Sequence, residues 1–317
     1  MIRGPLTRDD YRPQFSGHET FPLRYGWLKK AYDAVREDQG TEQAKAIFST
    51  DAAIARFGVG RNMVTSIRHW AVVGGIVHDG ESGLETTRIG DLIFGESGLD
   101  PYMEHPSTLW LIHWFLAGHP EKTTWFWVFN HFQGGTFERE HIVRPLEALA
   151  TERQWSRVAA ATIKRDVECF VRLYVAKSAS GKGSHEDALE SPLAELGLIR
   201  SVGRRDGFRL VRGAKPTLGD GVFLYALLDF WQRHSTASTL SFEAIAHEPG
   251  SPGRVFMLDE DEIFSRLQEI EDISSGALKW SETAGLKQVV RHAAISVDDA
   301  IELISGDYHV RTAVEAA

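Results

Sequence analysis

Cysteine is almost absent from this sequence, which has 317 residues and one cysteine, Cys169. A single cysteine excludes an intrachain disulfide and any zinc site built on several cysteines. Because Cys169 falls on the apolar side of a predicted helix, we expect it to be an inert core residue. The chain also has no apolar run long enough to span a membrane, and its first residues, MIRGPLTRDDYRPQ, contain no signal-peptide core. We therefore expect a cytoplasmic protein that does not enter a membrane.

An overall excess of positive charge is lacking as well, since the formal net charge is -9. This value argues against a protein that coats nucleic acid indiscriminately. The charge is unevenly distributed, however, with six basic residues from Arg200 to Lys215 and seven acids from Asp259 to Asp272. Such an uneven distribution suits a protein that binds DNA through one surface and a protein partner through another.

One stretch without any acidic residue, 52–78, carries Arg56, Arg61 and Arg68. This local reversal of charge predicts contact with a phosphate backbone. A short helix is expected from about Asp51 to Phe57, capped by the Asp51 side chain and ended by the glycine that follows it. A turn and a second helix, from Arg61 to about Ala71, would complete a helix-turn-helix.

The second helix is expected to bury apolar residues at spacings of three and four and to expose side chains suited to phosphates and base edges. These outward residues are Arg61, Asn62, Thr65, Ser66, Arg68 and His69. The residues that follow this helix predict a β-hairpin, which would be the wing of a winged helix-turn-helix. Arg88 is expected on the second strand of this hairpin. The alternative interpretation is a small helical pair with a solvated basic face.

Aromatic residues are concentrated between residues 100 and 132, where four of the nine tryptophans lie. We interpret this segment as two central core helices, followed by two more helices up to residue 177. Interleaved His113, His119 and His131 suggest either a metal site or hydrogen-bonded core residues.

The fold class predicted is mainly α with small β-hairpins. The expected N-terminal domain covers residues 1–177, with a winged helix-turn-helix at about 31–95 and an aromatic helical core at about 100–177. A linker at 178–187 leads to a C-terminal helical domain, 188–317. That domain begins with a helix in SPLAELGLI and a basic hairpin, in which Arg204, Arg205 and Arg209 are expected to form a second DNA contact.

The usual nuclease signatures are missing: no HNH array and no Pro-Asp followed by Glu/Asp-x-Lys is visible. The best local candidate for phosphodiester chemistry is His18 beside Glu19, an imidazole and a carboxylate that could supply a base and a metal ligand. The alternative is a helix cap, with Glu19 or Thr20 bound to the free amides of the next helix. A second polar group, Asp100 with Glu104 and His105, is equally well explained if Asp100 is a helix N-cap.

Several segments together resemble a bacterial family, domain of unknown function 4007 (DUF4007). They are FSGHETFPLRYGWLKKAYDAV, LDPYMEHPSTLWLIHWFLA, SPLAELGLI, SFEAIAHEPGSPGRVFMLDEDE and TAGLKQV. The family is similar to the B component of Ssp-type DNA phosphorothioation systems, in which a cysteine desulfurase, an ATPase and a sulfur-transfer protein work with a DNA-nicking protein. The resemblance implies nicking of one strand of duplex DNA, in service of phage defence.

Three functions are therefore open. The first is a nickase that uses a divalent metal, Mg²⁺ or Mn²⁺, with His18 and Glu19 as catalytic residues and Glu19 as metal ligand. The second is a DNA-recognition or scaffold subunit of the same complex without chemistry of its own, which would need no metal. The third is a winged-helix transcription regulator. A homodimer is one assembly that the sequence leaves open.

Overall fold

The computed structural model describes residues 3–49, 51–175, 191–203, 206–283 and 285–309. Most of the described chain is helical, and short strands form small antiparallel sheets. The mainly α class with small β-hairpins is confirmed. Within these ranges, no helix is both long and apolar enough to cross a membrane.

The described ranges contain fourteen α-helices. They are α1 (Trp27–Asp38), α2 (Asp51–Phe57), α3 (Arg61–Val73), α4 (Arg88–Phe94), α5 (Pro106–Ala117), α6 (Thr123–His131), α7 (Glu140–Glu152), α8 (Ala160–Tyr174), α9 (Asp220–His234), α10 (Phe242–His247), α11 (Pro252–Val255), α12 (Glu260–Gln268), α13 (Ile270–Ile273) and α14 (Val297–Asp307).

The strands are β1 (Val77–Gly80), β2 (Gly83–Thr86), β3 (Thr136–Phe137), β4 (Ile199–Ser201), β5 (Phe208–Leu210), β6 (Thr239–Ser241), β7 (Leu278–Thr283) and β8 (Leu286–Arg291). They form a β1–β2 hairpin and two three-stranded sheets, in the orders β3-β5-β4 and β6-β8-β7. All pairings are antiparallel.

Helices α2 and α3 show how local sequence sets the elements. Gly58 has a φ of 68°, and its N–H donates to the Ile54 carbonyl at 3.0 Å, so a left-handed glycine ends α2. Gly60 is extended and precedes the first residue of α3. The helix, turn, helix and hairpin occur in the predicted order, and their interpretation as a winged helix-turn-helix stays a prediction. Asp51 is the first helical residue rather than the cap, because α2 begins there.

One continuous cluster of buried side chains extends from Leu6 to Ile304. Most side chains of α5 and α6 are buried in it. Cys169 is buried, and burial raises the pKa of its thiol. Strand β3, on the N-terminal side of the predicted domain boundary, pairs with β5 on the other side. The predicted linker, 178–187, lies outside the described residues.

Three local expectations need correction. The helix expected in SPLAELGLI is a 3-10 helix over Pro192–Leu196. Arg88 is the first residue of α4 and not part of a strand, because Thr87 caps a new helix through its side chain. Near the C-terminus, α14 packs against α9, although no helix was predicted there.

Candidate active-site turn and DNA interface

A tight turn lies between the N-terminus and α1. Glu19 and Thr20 both have positive φ, 46° and 66°, and the Phe21 N–H donates to the His18 carbonyl at 2.8 Å. These features define a type I′ turn, whose central positions favour glycine, asparagine or aspartate. A glutamate and a β-branched threonine are strained there, by about 1–2 kcal/mol each. Strain of this kind is concentrated at functional sites. We call residues 17–21 the Glu19 turn.

The turn is anchored by His18, whose side chain is buried. His18 Nε2 donates to Asp166 Oδ1 at 2.9 Å, and the Thr20 N–H donates to His18 Nδ1 at 3.0 Å. These two bonds assign the proton to Nε2 of a neutral ring. Both ring nitrogens are engaged within the protein. His18 therefore holds the turn in this structure, and its catalytic role stays a prediction.

A buried ion pair lies beneath His18. Lys122 Nζ is 3.5 Å from Asp166 Oδ1 and 4.8 Å from the centre of the Trp125 ring. The two charged residues are only 1% and 0% exposed. Burial alone would raise the pKa of Asp166, but the Lys122 ammonium and the hydrogen bond from His18 outweigh it and lower that pKa. Asp166 is therefore ionised at neutral pH and holds the His18 ring.

Glu19 itself is exposed, and its carboxylate makes no hydrogen bond or ion pair within the described part of the chain. The helix-cap alternative is wrong, since α1 begins at Trp27 after Gly26. The described ranges contain no group of three or more histidine, cysteine or acidic residues that could hold a metal ion. The catalytic and metal-binding role of Glu19 stays a prediction.

Two arginines flank the turn. Arg172 Nη1 donates to the Thr20 carbonyl at 3.0 Å. The Arg24 guanidinium lies 5.9 Å from the centre of the Phe21 ring. Neither arginine pairs with a carboxylate in the residues that the structure describes. Among the described residues, the turn therefore combines a carboxylate without a partner and two cations without an acidic partner.

Arg172 was missed by sequence reasoning because it lies 152 residues from its hydrogen-bond partner. Its position on the polar side of α8 was the only signal. Lys29, another cation near the start of α1, pairs with Asp33 at 2.5 Å.

The second polar candidate is structural. Asp100 accepts hydrogen bonds from the backbone N–H groups of Glu104 and His105 at 2.9 and 3.0 Å, and from the Thr108 hydroxyl at 2.6 Å. His105, rather than Asp100, is the N-cap of α5. With its oxygens occupied, Asp100 fixes the loop before α5.

The exposed face of α3 is smaller than expected. Arg61, Asn62 and Thr65 are exposed and Arg68 is half-buried, but Ser66 and His69 are 0% and 7% exposed. The last two were expected outside because they are polar. They lie inside because they face the Glu19 turn.

Each arginine of the acid-free stretch is paired. Arg61 Nη2 lies 2.6 Å from Asp51 Oδ1, with side chains 73% and 86% exposed, and Arg68 Nη2 lies 2.8 Å from Asp79 Oδ1. Ion pairs this exposed contribute about 0–1 kcal/mol, so a phosphate can replace the carboxylate at little cost. Arg56 is held more firmly, by two carboxylates of α1 and by the Ala34 carbonyl.

Arg88 also has internal partners. Its guanidinium lies 3.2 Å from Asp298 and 3.6 Å from Glu302, so it links α4 to α14. Its predicted DNA contact would have to compete with both carboxylates.

The basic hairpin is present as β4 and β5. Arg200 and Arg209 face each other in the register and are exposed, whereas Arg204 and Arg205 lie outside the described residues. Two further members of the basic run are structural. Arg212 donates to the Leu258 carbonyl at 2.7 Å, and Lys215 Nζ, buried among carbonyls, has its pKa lowered to about 8 mainly by burial.

The three histidines of the aromatic segment do not converge. His113 is fully buried, with its ring nitrogens 2.7 Å from the Tyr174 hydroxyl and 2.8 Å from the Val255 carbonyl. His119 pairs with Asp229 at 2.9 Å. The hydrogen-bonded interpretation fits both residues.

These features define the class of protein. It is a mainly helical α+β protein in which an exposed helix rich in hydrogen-bond donors, α3, lies beside the strained Glu19 turn. A buried ion pair supports that turn. A family model described as "Protein of unknown function (DUF4007)" matches residues 15–308. The chain belongs to this family, as the sequence predicted.

Two solved structures are similar to this chain, a crystal structure of SspB and a magnesium ion-bound crystal structure of SspB. In both cases the TM-score is 0.79, the sequence identity is 28%, and the match covers 94% of this chain and 89% of the other. A comparison with curated proteins gave no match. The likeness to SspB supports the prediction of a B component of an Ssp-type system.

Proposed function

We propose that this chain is the DNA-acting B component of a bacterial phosphorothioation system and that it nicks one strand of duplex DNA at a short motif. The observation that carries the proposal is the Glu19 turn, in which an exposed glutamate lies on a strained backbone that contacts Arg24 through Phe21 and Arg172 through Thr20. The family membership and the likeness to SspB support a place in such a system. Its expected partners are a cysteine desulfurase, an ATPase and a sulfur-transfer protein, and its expected role is phage defence.

Duplex DNA would bind across the exposed face of α3. Arg61 and Asn62 lie in its first turn, where side chains reach base edges when such a helix enters the major groove. Each well-placed base contact contributes about 1–3 kcal/mol of discrimination. The exposed Arg200 and Arg209 of the β4–β5 hairpin would add phosphate contacts that carry no sequence information.

The chemistry would take place at the Glu19 turn. Hydrolysis of a phosphodiester adds water to phosphorus, breaks one ester P–O bond and builds negative charge on the phosphoryl oxygens. Arg24 and Arg172 would stabilise that charge. Glu19 would accept a proton from water or bind a cation, while His18 and Asp166 hold the turn.

The residues present fit a divalent cation that is shared with the substrate. Mg²⁺ commonly keeps several waters and takes one or two carboxylates together with phosphate oxygens, so one free carboxylate is sufficient. One of the similar SspB structures is magnesium ion-bound. When bound by Glu19 and DNA, Mg²⁺ or Mn²⁺ would supply positive charge to the phosphate and to the attacking water.

A second candidate is a DNA-recognition subunit without chemistry. It is favoured by the full engagement of both His18 nitrogens and by the lack of a metal-ligand group of three in the described residues. A transcription regulator would share the α3 interface but would select a promoter rather than a modification motif.

Relaxation of supercoiled plasmid by the purified protein distinguishes these functions. We expect open-circular product, with little linear DNA, only when Mg²⁺ or Mn²⁺ is present. Binding is measured in parallel on the same plasmid. Tight binding with no open-circular product at any metal concentration would reject the nickase in favour of a recognition subunit.

A further inference from the structure

Helix α3 contacts both parts of the proposed site. Its outer face carries Arg61, Asn62 and Thr65, whereas its inner face meets the Glu19 turn. Trp70 Nε1 donates to the Phe21 carbonyl at 3.0 Å. The helix that is expected to bind DNA therefore packs directly against the turn that is expected to cleave the DNA.

At this interface Gly17 lies against the His69 ring. A Cβ added at Gly17 would lie 2.4 Å from His69 Nδ1, so the backbone passes directly against the ring. Gly17 has a φ of 107°, which favours glycine. The His69 and His18 ring centres are 6.0 Å apart. Any shift of α3 would therefore move the residue that begins the turn.

The His69 side chain contacts the turn by packing and, in the part of the chain that the structure describes, is not held by a hydrogen bond at Nε2. It is 7% exposed, and its Nε2 has no hydrogen-bond partner among the described residues. Burial, together with the nearby Lys122 ammonium, lowers the pKa of His69, so its ring is neutral at pH 7. The position of this ring is therefore set by packing between α3 and the turn.

We propose that His69 is a positioning residue that transmits DNA binding on the outer face of α3 to the Glu19 turn. Binding of a duplex that carries the motif fixes the position of α3. The His69 ring then pushes against Gly17, and the turn adopts the arrangement in which Glu19 contacts the phosphate. Nicking is thereby confined to DNA that α3 has recognised. This inference rests on the proposed function and adds the coupling between its two parts.

The test measures amide hydrogen exchange of residues 15–22 with and without a duplex that the protein binds. In the wild type, DNA is expected to slow exchange of this segment at least threefold. In His69→Ala, DNA affinity should stay within twofold of the wild type while the DNA-dependent change in exchange disappears. The maximal nicking rate per folded protein at saturating DNA should fall at least tenfold with an unchanged KM, whereas reversible unfolding would raise KM and leave that rate unchanged.

A second variant approaches the contact from the turn. Gly17→Ala should have the same effect as His69→Ala, because its methyl group would collide with the ring. Gly26→Ala is the matched control, since Gly26 also has a positive φ, 76°, but a Cβ there meets nothing within 4 Å. If His69→Ala does not fold, the comparison of Gly17→Ala with Gly26→Ala decides the question.

The outcomes separate this inference from the proposed function. Nicking by the wild type without any DNA-dependent change in exchange at residues 15–22 would overturn the coupling and leave the nickase standing. A DNA-dependent change in exchange without nicking would keep the coupling and reject the nickase. Equal nicking by Gly17→Ala and Gly26→Ala would also overturn the coupling.

Discussion

Lys122→Met is the perturbation that most directly tests the buried support of the Glu19 turn. Methionine keeps the length and apolar stem of the side chain but removes its charge. Asp166, which is 0% exposed, then loses its cationic partner and keeps interactions with His18 and Thr124. Removal of one partner from a buried ion pair costs about 3–5 kcal/mol. At roughly 2 °C per kcal/mol for a chain of this size, Tm should fall by roughly 6–10 °C.

The cost should depend on pH in a defined direction. In the wild type the pKa of Asp166 is lowered, so the stability from the pair is present at neutral pH and is lost as the pH falls through the folded-state pKa. In Lys122→Met, burial is opposed by His18 and Thr124 without the Lys122 charge, so the pKa of Asp166 rises and the carboxyl takes up a proton more readily. The stability difference between the two proteins should therefore shrink from pH 8 to pH 5.

Two companion variants complete the assay, which is urea unfolding followed by circular dichroism. Lys122→Met/Asp166→Asn should recover more than half of the stability that Lys122→Met removes, because no buried charge is left unpaired. Lys164→Met, an exposed lysine on the same helix as Asp166, should change stability by less than about 0.5 kcal/mol. If Lys122→Met is no worse than Lys164→Met, or if the double variant is less stable than the single one, the stabilising role of the buried pair is refuted.

Three further predictions concern binding, strain and pH. Alanine at both Arg61 and Arg68 should weaken duplex binding by about 1–3 kcal/mol for each arginine that reads a base; unchanged affinity of the folded double variant at fixed salt would remove α3 from the interface. Thr20→Gly should raise stability by about 0.5–1 kcal/mol, since glycine adopts positive φ without strain, and should slow nicking; faster nicking would refute a role for the strain. Stability should fall between about pH 6.5 and about pH 4, because burial lowers the pKa of His113 and of His131 from 6.5 to about 4. The unfolded chain gains protons first, at a cost of about 3 kcal/mol for His113 alone; an unfolding free energy that is flat over this range would contradict the assignment.

Local pattern was sufficient for the elements around α3. Gly58 ends α2 through its own conformational freedom, and the spacing of apolar residues sets the buried face of the next helix. Polarity alone misplaced Ser66 and His69, because a polar side chain can lie inside when a distant segment packs against it. Here that segment is the Glu19 turn, which no helical periodicity connects to α3.

The site was only half visible in the sequence. Glu19 stood out as part of a short polar segment before a helix, whereas its strain is a property of the folded backbone. Asp166 lies 148 residues from His18, its hydrogen-bond partner, so nothing in the local sequence indicates the pairing. Arg172 was missed for the same reason.

The participation of Glu19 in phosphodiester cleavage is central to the proposed function. The most direct measurement is the single-turnover nicking rate of Glu19→Gln on pre-bound duplex with Mg²⁺, beside Glu104→Gln as an exposed glutamate from the structural loop before α5. We predict that Glu19→Gln slows nicking by about 100-fold or more, with unchanged DNA affinity, and that Glu104→Gln nicks like the wild type. A folded Glu19→Gln protein that nicks at the wild-type rate would contradict this role of Glu19.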